Sequence, residues 1–515
     1  MARSIGRINM RGFSTLEILI AMAIMTSTLA AVVLVSFGNQ SLLAQGGSNA
    51  EAVRIAQEQL ETAQAQARED FRLLSSESTT SDEIFHAALT VSDAQFDPYT
   101  TKRLTSMVTW SDESHLTRSV SISELVTDFD DSSTLDTCDS SLAGDWSAPS
   151  MSDYVLAPGD LLPSNPPAGH TFSAGNQIAA LDAYHGILYV AAAKRSSAAN
   201  DSLFMFDVAD PTKKPRYLGS FDNNPAVTEG LNSLIAAGKY VYAGNAHVSN
   251  FKSCAPSANC SQLQIFDVSN PSAVPSPVNF LIPTSTAPFV SGTSTSQALG
   301  NSIFYRDGYV YLGLSKTAIG PEFDIIDVHD LSHPKWVGGY AVGSSINEIY
   351  VRNGLAYLAT DDKSREFIVL DVHDPANPTF DSSFDPTGTL GYEVGKSIYA
   401  HGNTMFAGMS AASGSPELYS LDISHPAMSL PKLAATVVGS TILGAFARDS
   451  TLFILASTIR QFQSLDISDP ASYRQAAAPI ALPGTGASLD CEGNYFFIGS
   501  NDGTQGHISI VGPRS

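Results

Sequence analysis

LDAYHGILYVA from Leu181, LIAAGKYVYAG from Leu234, IFYRDGYVYLG from Ile303, IYVRNGLAYLA from Ile349, IYAHGNTMFAG from Ile398, AFARDSTLFILA from Ala445 and LDCEGNYFFIG from Leu489 are seven copies of one phrase. Each reads as an alternating strand, a turn and a second strand. The turn carries Gly186, Gly238, Gly308, Gly354, Gly402 and Gly493, with Ser450 standing in the remaining copy. Glycine suits a hairpin turn because, without a Cβ, it takes positive φ freely. A second phrase follows the first six copies: FMFDVADP, QIFDVSNP, DIIDVHDL, IVLDVHDP, YSLDISHP and QSLDISDP. HISIVGP stands in the seventh, with Val511 in place of the aspartate. A short extended piece trails, such as RYLGSF from Arg216 or KWVGGY from Lys335.

Four strands in about 48 residues, repeated around a closed array, describe a blade of a seven-bladed β-propeller. The phrase D-[VI]-x-[DN]-P resembles the LVIVD repeat, a bacterial propeller family of exported proteins, and the resemblance covers residues 178–515. No outer strand follows HISIVGP. A segment within 152–176, DYVLAPG or HTFSAG, is therefore expected to complete the seventh blade and leave no open edge.

The four cysteines suit two staples. Cys138 precedes the propeller and Cys491 lies in blade seven, so a bridge between them would pin linker to closing blade. Cys254 and Cys260 share one loop and form the other expected pair. Neither pair has C-x-x-C spacing, so zinc is not expected. The repeated Asp207, Asp267, Asp327, Asp371, Asp422 and Asp466 each precede a turn, where a carboxylate accepts from backbone N–H groups. His329, His373 and His425 recur in blade-equivalent turns, which spread around a rim instead of converging on a metal. No nucleophile has an identifiable base, and no catalytic residue, metal or cofactor is expected. The uniform turns belong to one face; the other face varies. NAHVSNFKSCAPSANCSQ from Asn245 and LIPTSTAPFVSGTSTSQALGN from Leu281 are its longest connections, and Phe251, Lys252 and Phe289 form the candidate binding loop.

The composition bounds the partners. With 28 Lys+Arg against 51 Asp+Glu, a net charge of -23 and 43% apolar residues, the chain has material for a core and lacks the basic footprint that nucleic acid needs. Arg3, Arg7 and Arg11 precede an apolar run from Ile18 to Phe37 that is long enough for a transmembrane helix, with the basic end in the cytoplasm. Gly12-Phe13 followed by Ser14, Thr15, Leu16 and Glu17 resembles the class III leader of type IV pilins and of type II secretion pseudopilins. The resemblance implies cleavage after Gly12 by a prepilin peptidase, N-methylation of Phe13, and pairing of Glu17 with a neighbouring subunit's ammonium. Further on, NAEAVRIAQEQLETAQAQARED keeps apolar residues at three- and four-residue spacing after the soft Gly46-Gly47 pair. LTSMVTW and TRSVSISELVT alternate around SDESH as a hairpin, similar to the small sheet of minor pilins.

The expected organisation is a leader over 1–12, a long pilin helix over 13–75 (transmembrane over 13–37), a small β-hairpin head over 76–135, a linker with a closing strand over 136–177, and a mainly β propeller over 178–515. Such a chain would sit in the inner (cytoplasmic) membrane as a precursor and then in an extracellular filament or at the cell surface. Its partners would be other pilin subunits through the helix, the prepilin peptidase, the inner membrane before assembly, and a surface, glycan or protein ligand. The function this implies is a non-enzymatic minor pilin that displays the propeller, at a filament tip, for adhesion or ligand binding. The alternatives are a secretion pseudopilin engaging exported cargo or priming assembly, and a pilus-borne propeller enzyme.

Overall fold

The computed structural model describes residues 48–64, 77–80, 84–93, 101–111, 116–127 and 138, and most of 142–514. Within the last range 169, 171–174, 195–199, 225–226, 247–260, 281–298, 318–320, 387–392, 413, 425, 427–429, 459–460 and 470–471 lie outside the description. The chain divides into two compact units, Met1–Asp130 and Asp131–Ser515.

The first unit pairs one helix, α1 (residues 48–64), with an antiparallel sheet of β1 (Glu77–Thr80), β2 (Phe85–Asp93), β3 (Thr101–Ser111) and β4 (Thr117–Thr127), in that order. Ala52, Ile55 and Ala56 of α1 pack on Phe85, Ala87, Val108 and Trp110. Leu60 and Ala63 cover Leu89, Leu104 and Val126. The opposite face is charged: Arg54 bridges Glu51 at 2.7 Å and Glu58 at 2.8 Å. These contacts correct three expectations.

The helix among the described residues is 17 residues long, not a long pilin helix over 13–75, and its buried stripe is matched to the strands beneath it. At about 1.5 Å per residue it spans roughly 25 Å, comparable to a strand of eight or so residues. The head is a four-stranded sheet instead of a lone hairpin, because β2 and β1 extend the β3–β4 pair. No helix among the described residues is long and apolar enough to cross a membrane. The transmembrane helix expected over 13–37, and the inner-membrane and filament localisation drawn from it, are therefore withdrawn. The apolar run over 13–37 lies outside the described residues.

The second unit opens with β5 (Asp145–Val155) and then runs through seven four-stranded sheets. The first consists of β6 (Gln177–Tyr184), β7 (Ile187–Lys194), β8 (Leu203–Asp207) and β9 (Arg216–Phe221), each strand antiparallel to the next. The innermost strands of blades two to seven are Leu231–Ala237, Gly300–Arg306, Ile346–Arg352, Gly395–His401, Ile442–Arg448 and Thr485–Glu492. Each contacts the innermost strand of the next blade, and the last contacts β6, so the array closes into a ring. The fourth strand of blade seven is β5, which pairs with Gly506–Arg514 and begins ahead of the 152–176 window.

The core is divided among the blade interfaces. Ile235, Tyr242 and Ile265 of blade two meet Val310, Leu312 and Ile326 of blade three, and the interface of blades seven and one buries Phe497, Ile508 and Ile510 against Leu181, Leu188 and Phe206. Each large apolar side chain so buried contributes about 1.5–3 kcal/mol. Every blade thus depends on both neighbours, which is why a single blade could not stand alone. Blades approach closely where β9 passes the next turn: a Cβ on Gly219 would meet the Pro271 carbonyl oxygen at 1.8 Å. In the hairpin of blade six the left-handed residue is Asp449 (φ 50°), one position before Ser450.

Candidate functional site

The repeated aspartates build turns. Oδ1 of Asp207, Asp267, Asp327, Asp371, Asp422 and Asp466 accepts the N–H two residues on at 2.8–3.1 Å. The following residue then ties the turn to the glycine hairpin of the same blade: Val208 N–H donates to Gly186 O and Val372 N–H to Gly354 O, both at 2.8 Å. His329 Nδ1 lies 2.7 Å from its own Asp327 Oδ1, and His373 Nδ1 lies 2.8 Å from Asp371 Oδ1. Each ring is engaged within its own turn, and no group of three or more His, Cys, Asp or Glu among the described residues could hold a metal. His425 lies outside the described residues.

The ring's axis is where the blades cease to be equivalent. An innermost strand pairs on one side only, so its other edge needs a cover. Two residues before the hairpin-flanking position of each innermost strand stand Asp182, Ile235, Phe304, Tyr350, Tyr399, Phe446 and Asp490. Asp182 and Asp490 cap N–H groups of the next innermost strand, whereas Ile235 and Tyr399 are buried between blades. Over blades three to six these positions form an aromatic arc, with ring centroids 5.4 Å (Phe304–Tyr350), 5.7 Å (Tyr350–Tyr399) and 5.1 Å (Tyr399–Phe446) apart. Arg448 lies over the Tyr399 and Phe446 rings and donates to Tyr399 Oη at 2.6 Å. Arg306 and Arg352 reach the carbonyls of Val351 and Gly402 on the next blade.

Across blades seven and one the arc is acidic. Asp490 Oδ2 accepts Ala183 N–H at 2.6 Å, Asp182 Oδ2 accepts Ala236 N–H at 2.7 Å, and Glu492 Oε1 accepts Gly186 N–H at 2.7 Å. In blade four Glu348 Oε2 accepts Ile398 N–H at 2.8 Å. Asp182, Glu348, Asp490 and Glu492 are partly buried, and protein encloses them. Burial therefore pushes Asp182 up to about 7, against the Ala236 N–H and with help from Glu492. Burial likewise pushes Glu348 up to about 8, against the Ile398 N–H, and raises Glu492. Asp182, Glu348 and Glu492 are thus staples between blades and also proton-sensitive groups.

The opposite ends of the third strands hold a repeat that the sequence reading missed. Five residues before the turn aspartates stand Ser202, Gln262, Glu322, Glu366, Glu417 and Gln461, all buried. Glu322 Oε2 accepts Gly343 N–H at 2.9 Å, Glu417 Oε2 accepts Val438 and Gly439 N–H at 2.8 and 2.9 Å, and Gln461 Oε1 accepts Leu482 N–H at 2.9 Å. The fixed offset from the aspartate was the available signal.

One Ser/His/Asp group occurs in blade one, and its geometry is not nucleophilic. His170 Nδ1 lies 2.6 Å from Asp201 Oδ2 and 3.4 Å from Ser220 Oγ, and Ser220 also bonds Asp201. Acid and hydroxyl meet the same ring nitrogen, whereas general-base activation needs them on opposite nitrogens. Ser220 is 2% exposed. This arrangement does not activate Ser220 as a nucleophile.

Cys138 and Cys491 are joined by a disulfide, Cα atoms 5.3 Å apart. Gly12, Phe13, Glu17, Cys254, Cys260 and the loop residues Phe251, Lys252 and Phe289 lie outside the described residues.

Seven radially stacked four-stranded sheets around an axis define a β-propeller scaffold. The family model described as the LVIVD repeat matches residues 345–386, which are the fourth blade. No curated protein matches the chain. Among solved structures, that of U3-55K is 10% identical, covering 72% of this chain and 100% of that one with a TM-score of 0.46. A putative 6-phosphogluconolactonase from Bacteroides fragilis is 10% identical over 78% and 98% with a TM-score of 0.44. BamB from Moraxella catarrhalis is 12% identical over 65% and 83% with a TM-score of 0.37. At such identities and scores these overlaps add nothing to the blade geometry.

Proposed function

We propose that the chain is a ligand-binding or adhesive display protein whose propeller recognises its target at the axial ring. One observation carries this reading: a domain built from near-equivalent blades places aromatics on one arc and carboxylates on the other. Packing between near-equivalent blades would be served by one residue type all round. A ligand with a flat or apolar face and a cationic group complements the two arcs, because aromatic faces and carboxylates both attract positive charge. A glycan or a protein segment can present both. The amino-terminal resemblance adds the role of a minor pilin or pseudopilin subunit, cleaved after Gly12, with Phe13 as the new first residue, Glu17 as the assembly counter-ion and the prepilin peptidase and other pilin subunits as partners.

A glycan and peptide array probed with the full chain, and with a Tyr350→Ala/Tyr399→Ala variant of matched secondary structure, tests the ring. Binding by the parent and loss in the variant is expected. Undiminished binding by the variant overturns the axial site. Intact-mass analysis after coexpression with a prepilin peptidase tests the subunit role independently, and a chain still carrying residues 1–12 overturns it.

A further inference from the structure

The strand that closes the ring is fastened by a histidine facing two carboxylates. His507, on Gly506–Arg514, places Nδ1 2.9 Å from Asp153 Oδ2 on β5 and Nε2 3.3 Å from Asp502 Oδ2 in the preceding turn. Its side chain is 10% exposed. A neutral imidazole offers one N–H and one lone pair, so it can satisfy only one of two ionised carboxylates; an imidazolium donates to both.

The surroundings decide which partner carries the proton. Asp502 Oδ1 accepts the N–H and Oγ–H of Thr504 and the N–H of Gln505, each at 2.7 Å, which suits an ionised carboxylate. Asp153 Oδ1 accepts Ser509 Oγ–H at 2.8 Å. Beyond β5, Asp160 accepts Val155 N–H and pairs with Lys214 of blade one. The paired residue on the adjoining strand Tyr495–Asn501 is the uncharged Ser500. Three carboxylates and one ammonium thus surround the ring, so an imidazolium there has a carboxylate partner on each nitrogen.

We propose that closure of the propeller is proton-linked: the His507 imidazolium bridges Asp153 and Asp502 and clasps β5 to blade seven, and loss of its proton loosens β5. On deprotonation one ring nitrogen turns a lone pair towards a carboxylate, so attraction on that side becomes repulsion while the β-ladder remains. The Cys138–Cys491 disulfide keeps the loosened segment tethered.

Hydrogen exchange of the full, oxidised chain tests this. After correction for intrinsic rates, β5 amides should lose about tenfold protection between about pH 6 and about pH 9, while those of Phe367–Asp371 in blade four change far less. His507→Gln should abolish the difference. Imidazole nitrogen NMR of the parent chain provides a readout independent of that variant's folding: an imidazolium at about pH 6.5 supports the clasp. A neutral tautomer there, or pH-independent protection of β5, overturns it.

Discussion

The Trp146 indole of the closing strand lies edge-on to the Phe453 ring of blade six, centroids 5.0 Å apart at 65°, and it also meets Phe496 of blade seven at 5.7 Å. A residue from the start of the propeller unit therefore plugs the seam between its last two blades. Its Nε1 donates to Asn494 Oδ1 at 3.3 Å. Trp146→Ala should cost about 2 kcal/mol, less than the roughly 3–5 kcal/mol of a fully buried Trp because the side chain is only partly buried. A urea midpoint followed by far-ultraviolet circular dichroism measures it, and an unchanged midpoint would show that β5 closes the ring through backbone pairing alone.

The disulfide acts on the same seam. Cys138 and Cys491 are separated by 353 residues, so the bond closes a loop that takes in the whole ring. Chain-entropy reasoning gives about 6 kcal/mol for a loop of that length, an upper bound against the roughly 2–5 kcal/mol that removing a native disulfide typically costs. Reduction, or Cys138→Ser with Cys491→Ser, should lower the melting temperature and expose the β5 region to proteolysis before any other blade. Cleavage starting elsewhere would contradict this.

The two histidine- and cysteine-fastened ends explain which parts of the molecule were legible in sequence. Blades were readable because the glycine hairpin and the D-[VI] turn are local devices, repeated wherever the chain needs the same bend. The acidic arc was hidden, because Asp182 and Asp490 belong to the first and last copies of the phrase and become neighbours only on closure. Both stand in a Leu-Asp pair, Leu181-Asp182 and Leu489-Asp490, which no other copy has. The reach of α1 was equally hidden, since its alanine-rich stripe reads the same over a sheet as along a filament. The contacts with Phe85 and Trp110 decide between them.

The axial carboxyls give stability a pH dependence with a definite sign. Asp182, up to about 7, and Glu348, up to about 8, hold protons in the folded chain that the unfolded chain has already lost. Their stabilising contribution is therefore complete below about pH 4 and is lost as pH rises through the folded values, across roughly pH 4 to 8. Buried Asp324, raised well above the usual carboxyl range, acts in the same direction. Asp182→Asn and Glu348→Gln keep an oxygen for the Ala236 and Ile398 N–H groups and cannot ionise. Each should flatten the stability profile over that window by on the order of 4 kcal/mol. Chemical denaturation at a series of pH values measures it, and a variant as steep as the parent would assign the slope to other groups.

The buried carboxylates on the other face predict a cost of a different kind. Glu417, 1% exposed, takes Val438 and Gly439 N–H on a single oxygen, so it holds the connection from blade five to blade six in shape. Glu417→Ala would leave two loop donors without an acceptor and a void beside Leu418. At about 1.5–3 kcal/mol for a hydrogen bond to a charged group, and allowing partial rescue by water at the loop, the loss should be about 3 kcal/mol. Glu417→Gln retains an acceptor oxygen of the same reach, as Gln461 does for Leu482 in the next blade, and should lose less than half as much. Urea midpoints of the two variants decide the matter. Equal losses would mean that the negative charge, and not the hydrogen-bond geometry, holds the loop.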